Sequence, residues 1–299
     1  AKSLIHTEKK IVHAVQNVNF SIGEGELVGY IGPNGAGKST TIKMLCGILQ
    51  PTGGSVSVCG ITPSKNRIQN ALNVGAVFGQ KTQLWWDLPV RETFELLKRM
   101  YSIPDAVYQK NMKDFTEYLE LTGFVDQPVR QLSLGQRMRC EIAASLLHSP
   151  KVLYLDEPTI GLDINVKIKM REFIKRINAE RGVTIILTTH DLQDIEELAK
   201  RIIVINHGTV GFDGSMKELA ARYAGGQHTV SFTLDDEVET IMLPEGMQGH
   251  YSLKKDGYHV TITHDAALPA SDIITAVVTQ YHISDIDIKG PQIEDVVLE

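Results

Sequence analysis

The stretch that decides the fold is Gly32-Pro33-Asn34-Gly35-Ala36-Gly37-Lys38-Ser39, which fits the pattern G-x-x-x-x-G-K-[ST] in full and continues into Thr40. A continuously apolar run over Leu27–Ile31, typical of a buried parallel strand, precedes it, and a helical pattern begins near Ser39. Glycines in such a loop let backbone N–H groups close on phosphate oxygens, and the helix directs its positive end at the same charge. The stretch therefore predicts a phosphate-binding loop, in which Lys38 contacts the β- and γ-phosphates and Ser39 binds Mg²⁺.

A pair of acidic residues follows a second apolar run, residues 152–155. Asp156 can hold Mg²⁺ through water, and the adjacent Glu157 can polarise an attacking water molecule. A strand that ends in two acids is common, so this signal is weak alone. Together with the phosphate loop it predicts hydrolysis of a nucleoside triphosphate.

The bulk composition places the 299-residue chain among ordinary globular proteins, with 42% hydrophobic and 22% charged residues. A net charge of -6 gives no basic excess that would indicate nucleic acid. The three cysteines form neither a CxxC pair nor a metal-like spacing, which favours a reducing compartment and buried apolar roles. Because no apolar run approaches the roughly 18–20 residues of a membrane span, we expect any membrane role to require a partner.

Strands and helices alternate along residues 1–223, which predicts a parallel α/β sheet. The predicted strands are residues 17–22, 27–31, 55–58, 74–78, 152–155, 183–187 and 202–205. Helices are predicted after the phosphate loop, over about 164–180 and over 192–199. A helical insertion is predicted over about residues 84–138, where Phe94, Leu97 and Tyr101 recur at helical spacing. Residues 224–299 are predicted to form a separate small α+β domain, with alternating strands over 229–234, 259–263 and 283–288 and a helix over 271–280.

Six motifs, taken in chain order, resemble those of the ABC ATPases over about residues 11–215. They are the Walker A stretch, residues 32–40; Gln80 of the Q-loop; the signature Leu132-Ser133-Leu134-Gly135-Gln136; Asp156 and Glu157 of Walker B; Gly161-Leu162-Asp163 of the D-loop; and the switch residue His190. The resemblance implies a P-loop NTPase core with an antiparallel β portion and a helical insertion. It also implies two copies that face head to tail, with each ATP between one Walker A and the other signature.

The same resemblance implies roles for individual residues. Glu157, His190 and Gln80 would be catalytic, and Ser39, Gln80 and Asp156 would hold Mg²⁺. Ser133, Leu134, Gly135 and Gln136 would read the γ-phosphate across the dimer, where Asp163 also acts. Gln83 is an alternative to Gln80, because a residue is inserted at Gly79.

Three features depart from the family pattern. Leu134 stands where the signature usually has glycine. No Phe, Tyr or Trp precedes Phe20 to stack on adenine, so Leu4, His6 or His13 is left to fill that place. The expectation of ATP over GTP therefore comes from the family resemblance and not from these residues. The last domain has no chemical motif: its scattered histidines (His228, His250, His259 and His264) fit solvent-facing positions better than a metal site. A dimerisation or regulatory role is expected for it.

The expected function is therefore that of the ATP-binding subunit of an ABC transporter. ATP and Mg²⁺ are the expected ligands, and transmembrane permease subunits with a second copy or a paralogous ATPase are the expected partners, at the cytoplasmic face of the membrane. Residues 77–86, which end in Trp85-Trp86, look most like ATPases of bacterial exporters with separate permease chains. The two indoles either line a docking groove for the permease or are buried in the helical insertion.

The alternative is a soluble ABC ATPase of translation or DNA maintenance. Translation-type members carry two ATPase cores in one chain, and DNA-maintenance types carry long coiled coils between two halves. The single phosphate loop and the lack of a coiled-coil pattern favour transport over both. A module that grips nucleotide without hydrolysis has no need of both Glu157 and His190.

Overall fold

The computed structural model describes residues 13–79, 81–222, 228–238, 240–265 and 267–289. The chain separates into two compact units, residues 1–214 and 215–299. The predicted boundary between residues 223 and 224 falls at positions outside the described residues. Within the described ranges, no helix is long and apolar enough to cross a membrane.

A six-stranded sheet in the order β2-β3-β4-β1-β5-β6 forms the centre of the first unit. Its strands are β1 (Leu27–Ile31), β2 (Val74–Phe78), β3 (Val152–Asp156), β4 (Thr184–Thr188), β5 (Arg201–Asn206) and β6 (Thr209–Gly214). The first five run parallel, while β6 pairs antiparallel with β5. All residues of β1 and β4 are buried, so both faces of these strands are covered, which explains the continuous apolar runs that predicted them.

Helices connect the parallel strands, as their crossovers require. They are α1 (Lys38–Leu45), α2 (Arg67–Asn73), α3 (Val90–Met100), α4 (Asp105–Tyr118), α5 (Leu134–Leu146), α6 (Ile164–Arg181) and α7 (Leu192–Leu198). The predicted helical insertion corresponds to α3, α4, two short 3₁₀ turns (Leu121–Gly123 and Val129–Gln131) and the start of α5. The sequence pattern did not reveal α2 or β6.

Two predicted strands are wrong. Residues 17–22 form no regular strand, because Asn17 has a left-handed backbone with φ of 49° and no ladder is made. Their alternation instead reflects an irregular extended segment whose apolar side chains pack on the sheet core. Residues 55–58 contribute only the isolated bridge between Val58 and Ile61, which closes a tight turn through Cys59 and Gly60.

The second unit contains a four-stranded antiparallel sheet in the order β10-β7-β9-β8. Its elements are α8 (Met216–Arg222), β7 (His228–Leu234), β8 (Tyr251–Asp256), β9 (His259–His264), α9 (Ala270–Gln280) and β10 (Ile283–Lys289). Alternate residues of β7 and β9, among them Val230, Phe232 and Ile262, are buried in one core with Ile273 and Val277 of α9. The alternation therefore predicted β7, β9 and β10 correctly, whereas the charged strand β8 gave too weak a pattern.

Candidate active site

The phosphate loop joins β1 to α1, and its backbone can be built only from glycine at two points. Gly32 has φ of 155°, and a Cβ there would stand 1.9 Å from the carbonyl oxygen of Ile205. Gly37 has φ of 109°, and its Cβ would stand 2.5 Å from the carbonyl oxygen of Ala14. These contacts fix the loop against its own sheet, so that its other side stays open for a ligand.

Lys38, the first residue of α1, is buried inside the loop. Its Nζ donates hydrogen bonds to the carbonyl oxygens of Gly32 at 2.5 Å and Pro33 at 3.0 Å. Burial lowers the pKa of Lys38, against the opposing attraction of the Glu157 and Asp156 carboxylates. The ammonium is therefore held in the concave side of a loop of backbone amides, which is the arrangement a polyphosphate needs.

Asp156 ends β3 beside the start of α1. Ser39 Oγ donates to its Oδ2 at 3.0 Å, and Thr188 Oγ1, at the end of the neighbouring β4, donates to its Oδ1 at 2.6 Å. A hydroxyl and a carboxylate converge here next to the phosphate loop. Oxygen donors of this kind fit a hard cation such as Mg²⁺, which is bound by one or two protein oxygens and by phosphate.

Glu157 and His190 face each other across the same end of the sheet. Glu157 has a left-handed backbone with φ of 58°, an uncommon conformation that sets the direction of its side chain. Nε2 of His190 lies 3.1 Å from Oε1 of Glu157, yet Oε1 is buried and receives no well-directed hydrogen bond from the described residues. Burial raises the pKa of Glu157, while the charges of His190 and Lys38 act to lower it. An acceptor oxygen without a donor is suited to hold a water molecule.

A cavity of about 610 Å³ unites most of the predicted residues. Its predicted lining residues are Asn34, Gly35, Ala36, Gly37, Lys38, Ser39, Thr40, Asp156, Glu157 and His190. Ala14, Lys43, Ile48, Lys81 and Ile160 also line it and were not predicted. Lys43 and Lys81 belong to no sequence motif. Their positive charge, which suits a site for phosphate, is the one property that could have suggested them.

Some predicted residues are not brought to this cavity. Gln80, Leu4 and His6 lie outside the described residues. Gln83 is placed elsewhere, since its Nε2 donates to the Glu141 carbonyl oxygen at 3.1 Å, and it is absent from the lining. His13 is exposed and does not line the cavity either, whereas Phe78, at the end of β2, is an aromatic residue that does line it.

The signature segment starts α5 outside the cavity. Ser133 caps the helix: its Oγ accepts from Gln136 N at 3.2 Å, and Gln136 Oε1 accepts from Ser133 N at 2.9 Å. A Cβ on Gly135 would lie 3.3 Å from Val166 at the start of α6. Asp163 caps α6, accepting from Val166 N at 3.0 Å. The signature and the D-loop are thus neighbours within one chain, and neither signature nor Asp163 lines that chain's own cavity.

Comparison with known proteins identifies the family. Residues 15–160 match the family model described as ABC transporter. The ABC transporter ATP-binding protein NatA of Bacillus subtilis is 31% identical over 212 residues, which cover 71% of this chain and 86% of NatA. The chain belongs to the ABC transporter family.

Other relatives of this ABC ATPase differ in length. The linearmycin resistance ATP-binding protein LnrL of Bacillus subtilis is 28% identical over 94% of this chain and 91% of its own length. ABC transporter A family member 1 of Dictyostelium discoideum is 32% identical, but the chain spans only 24% of it. The dimeric structure of the ATP-binding cassette MJ0796 bound to ADP and Pi matches with a TM-score of 0.63 and 30% identity, over 71% of this chain and 94% of that one. The ABC ATPase fold predicted from the motifs is therefore confirmed.

Proposed function

We propose that two copies of this ABC ATPase, facing head to tail, hydrolyse Mg²⁺-ATP and thereby drive export through separate permease subunits. One observation carries the proposal: Lys38, Asp156 and the Glu157 carboxylate converge in one cavity, whereas the signature segment does not line it. A site that lacks its γ-phosphate reader is completed by the signature of a second copy. The dimeric structure of the cassette MJ0796 bound to ADP and Pi supports this arrangement.

Each residue of the cavity then has a task in phosphoryl transfer to water. The loop amides and Lys38 hold the β- and γ-phosphates, and Ser39 with Asp156 holds Mg²⁺, with Gln80 proposed as a further ligand. When bound there, Mg²⁺ would supply positive charge that stabilises the phosphate oxygens. Glu157 accepts a hydrogen bond from the attacking water through Oε1, and His190 lies on the γ-phosphate side. Ser133 and Gly135 of the partner copy would contact the γ-phosphate from the helix start of α5.

We infer a membrane partner from a different part of the chain. Trp85 and Trp86 are 42% and 49% exposed, so neither is buried in the helical insertion. Indole surfaces of this size are frequent anchors of protein interfaces. We assign them to permease docking, which would hold the ATPase at the cytoplasmic face of the membrane. Export is favoured by the name of LnrL, a linearmycin resistance protein.

The test is ATP turnover by the purified chain. We expect hydrolysis that requires Mg²⁺ and is abolished in Lys38→Ala. Glu157→Gln should lower kcat by about 10²–10⁴-fold, the usual contribution of a general base, and should trap an ATP-bound dimer that light scattering detects. Glu172→Gln, an exposed glutamate of α6, is the matched control and should keep wild-type turnover. A Glu157→Gln variant with normal kcat would show that the base lies elsewhere.

A further inference from the structure

Glu141 is a buried carboxylate of α5, the signature helix, and it holds the segment that leads to Trp85 and Trp86. Glu141 of α5 accepts a short hydrogen bond from the Thr82 hydroxyl and further bonds from Gln83 N, at 3.2 Å to Oε1 and 3.3 Å to Oε2. The Gln83 side chain returns a bond from its Nε2 to the Glu141 carbonyl oxygen at 3.1 Å. Both the side chain and the backbone of Glu141 are therefore bonded to the same short loop.

The position of this carboxylate is unfavourable unless those bonds are made. Glu141 is only 3% exposed and lies between Cys140 and Ile142, which are fully buried. Burial raises the pKa of Glu141, and the hydrogen bonds from Thr82 and Gln83 counter this only in part. Since helix packing alone is served better by an apolar residue, a buried glutamate here indicates a requirement for the loop contact.

The same segment is attached to the signature side at a second place. Arg130, just before the signature, donates its backbone N–H to the Trp86 carbonyl oxygen at 3.0 Å and pairs with Asp87 at 2.6 Å. The guanidinium of Arg137, one turn into α5, lies 5.8 Å from the Trp86 ring centroid. Residues 82–87 therefore lie along α5. Ser133 stands at the start of this helix, about two helical turns before Glu141.

We propose that Glu141 is a positioning residue that couples the Trp85–Trp86 surface to the signature helix, so that nucleotide engaged by the signature displaces the docking surface. The proposal rests on the function proposed above and adds the means of its regulation: a membrane partner on the indoles and ATP on the signature act on one rigid segment. Glu141 does not line the nucleotide cavity and acts through the loop of Thr82 and Gln83.

The experiment uses tryptophan emission of the full chain, because Trp85 and Trp86 are its only tryptophans. We expect titration with Mg²⁺-ATP to change wild-type emission. Losing hydrogen bonds to a charged group shifts the balance between attached and detached loop by about tenfold or more, so Glu141→Ala should lose at least about half of the amplitude. The ATP concentration at half-amplitude should stay within about twofold, because the nucleotide cavity is untouched.

Two milder variants separate coupling from simple loss of structure. Thr82→Val removes one donor at an exposed position, and Glu141→Gln keeps one acceptor oxygen, so both should give amplitudes between wild type and Glu141→Ala. Glu172→Gln should retain the full amplitude. If Glu141→Ala fails to fold, Thr82→Val with Glu141→Gln in a double-mutant cycle gives the same answer.

The outcomes distinguish this inference from the proposed function. Full amplitude in Glu141→Ala, in Thr82→Val and in the double variant would overturn the coupling role. A wild-type emission that ignores ATP, in a chain whose Mg²⁺-dependent turnover is lost in Lys38→Ala, would overturn it as well while the ATPase function stands. A chain without any turnover would instead refute the proposed function.

Discussion

Removing Arg171 should destabilise the first unit more than removing any exposed arginine. Arg171 and Asp194 are 2% and 0% exposed, and Arg171 Nε donates to Asp194 Oδ1 at 2.5 Å. The hydroxyls of Thr159 and Thr189 donate to the other oxygen of Asp194. Arg171→Met leaves a buried carboxylate with hydroxyl donors alone, and breaking a buried pair in this way costs about 3–5 kcal/mol.

The assay is urea unfolding followed by tryptophan emission, which reports the first unit because both tryptophans lie in it. Arg176→Met is the control: its partner Glu180 is one turn away and both are exposed, so even with its stacking on Tyr118 the loss should be clearly smaller than that of Arg171→Met.

Adding Asp194→Asn to Arg171→Met removes the stranded charge. The double variant should therefore be more stable than the sum of the single losses predicts, with a coupling energy of about 1–3 kcal/mol. Equal losses in Arg171→Met and Arg176→Met, or strict additivity of the pair, would refute the reasoning. Either result would mean that water reaches Asp194.

Two further predictions concern thiols and acid stability. Burial raises the pKa of Cys46 and of Cys140 to about 12, whereas Cys59 is exposed. Near pH 8 a disulfide reagent should therefore label Cys59 rapidly and the other two thiols only after unfolding. Rapid labelling of all three would contradict this. Burial opposes ionisation of Asp191, but the hydrogen bond and charge of Lys167 outweigh it and lower the pKa of Asp191. The ion pair of Asp191 therefore stabilises the fold fully at neutral pH, and this stabilisation is lost as the pH falls from about 3.9 through the lowered pKa. Asp191→Asn should accordingly reduce the loss of unfolding free energy at acid pH in urea experiments. If the variant and the wild type lost stability in parallel, the ion pair would be excluded.

The parts of the fold that could be predicted are those where one local pattern has one cause. Continuous apolar runs predicted β1 to β5, because a strand covered on both faces has no polar side. The alternation at residues 17–22 led to a wrong strand prediction. This segment packs alternate side chains on the core without forming the hydrogen-bond ladder of a strand. Strand β8 was missed because Lys255 occupies a half-buried position where the alternation calls for an apolar residue, which this edge strand tolerates.

The residues of the site also separate into those that the sequence could predict and those that it could not. Motif residues were predicted because phosphate, metal and water each require a particular atom at a particular spacing. Glu141 and Arg171 were not singled out, because their partners come from segments far away in sequence. A signal was nevertheless present: each is a charged residue at a position where the helical pattern, with neighbours Ile142 and Met170, calls for an apolar one.

Leu134 shows how an apparent departure from the family pattern can be accommodated. It is the first residue of α5, and its Cδ2 lies 3.1 Å from the point where a Cβ on Gly161 would stand. Gly161 has φ of 71°, so the D-loop keeps glycine there for its backbone and the space above it is free for leucine. The capping hydroxyl of Ser133 and the backbone at Gly135 keep their geometry. Leucine at this position therefore leaves the groups proposed to face phosphate in place, and it adds an apolar contact between the signature and the D-loop of the same chain, which in the proposed dimer would belong to two different sites.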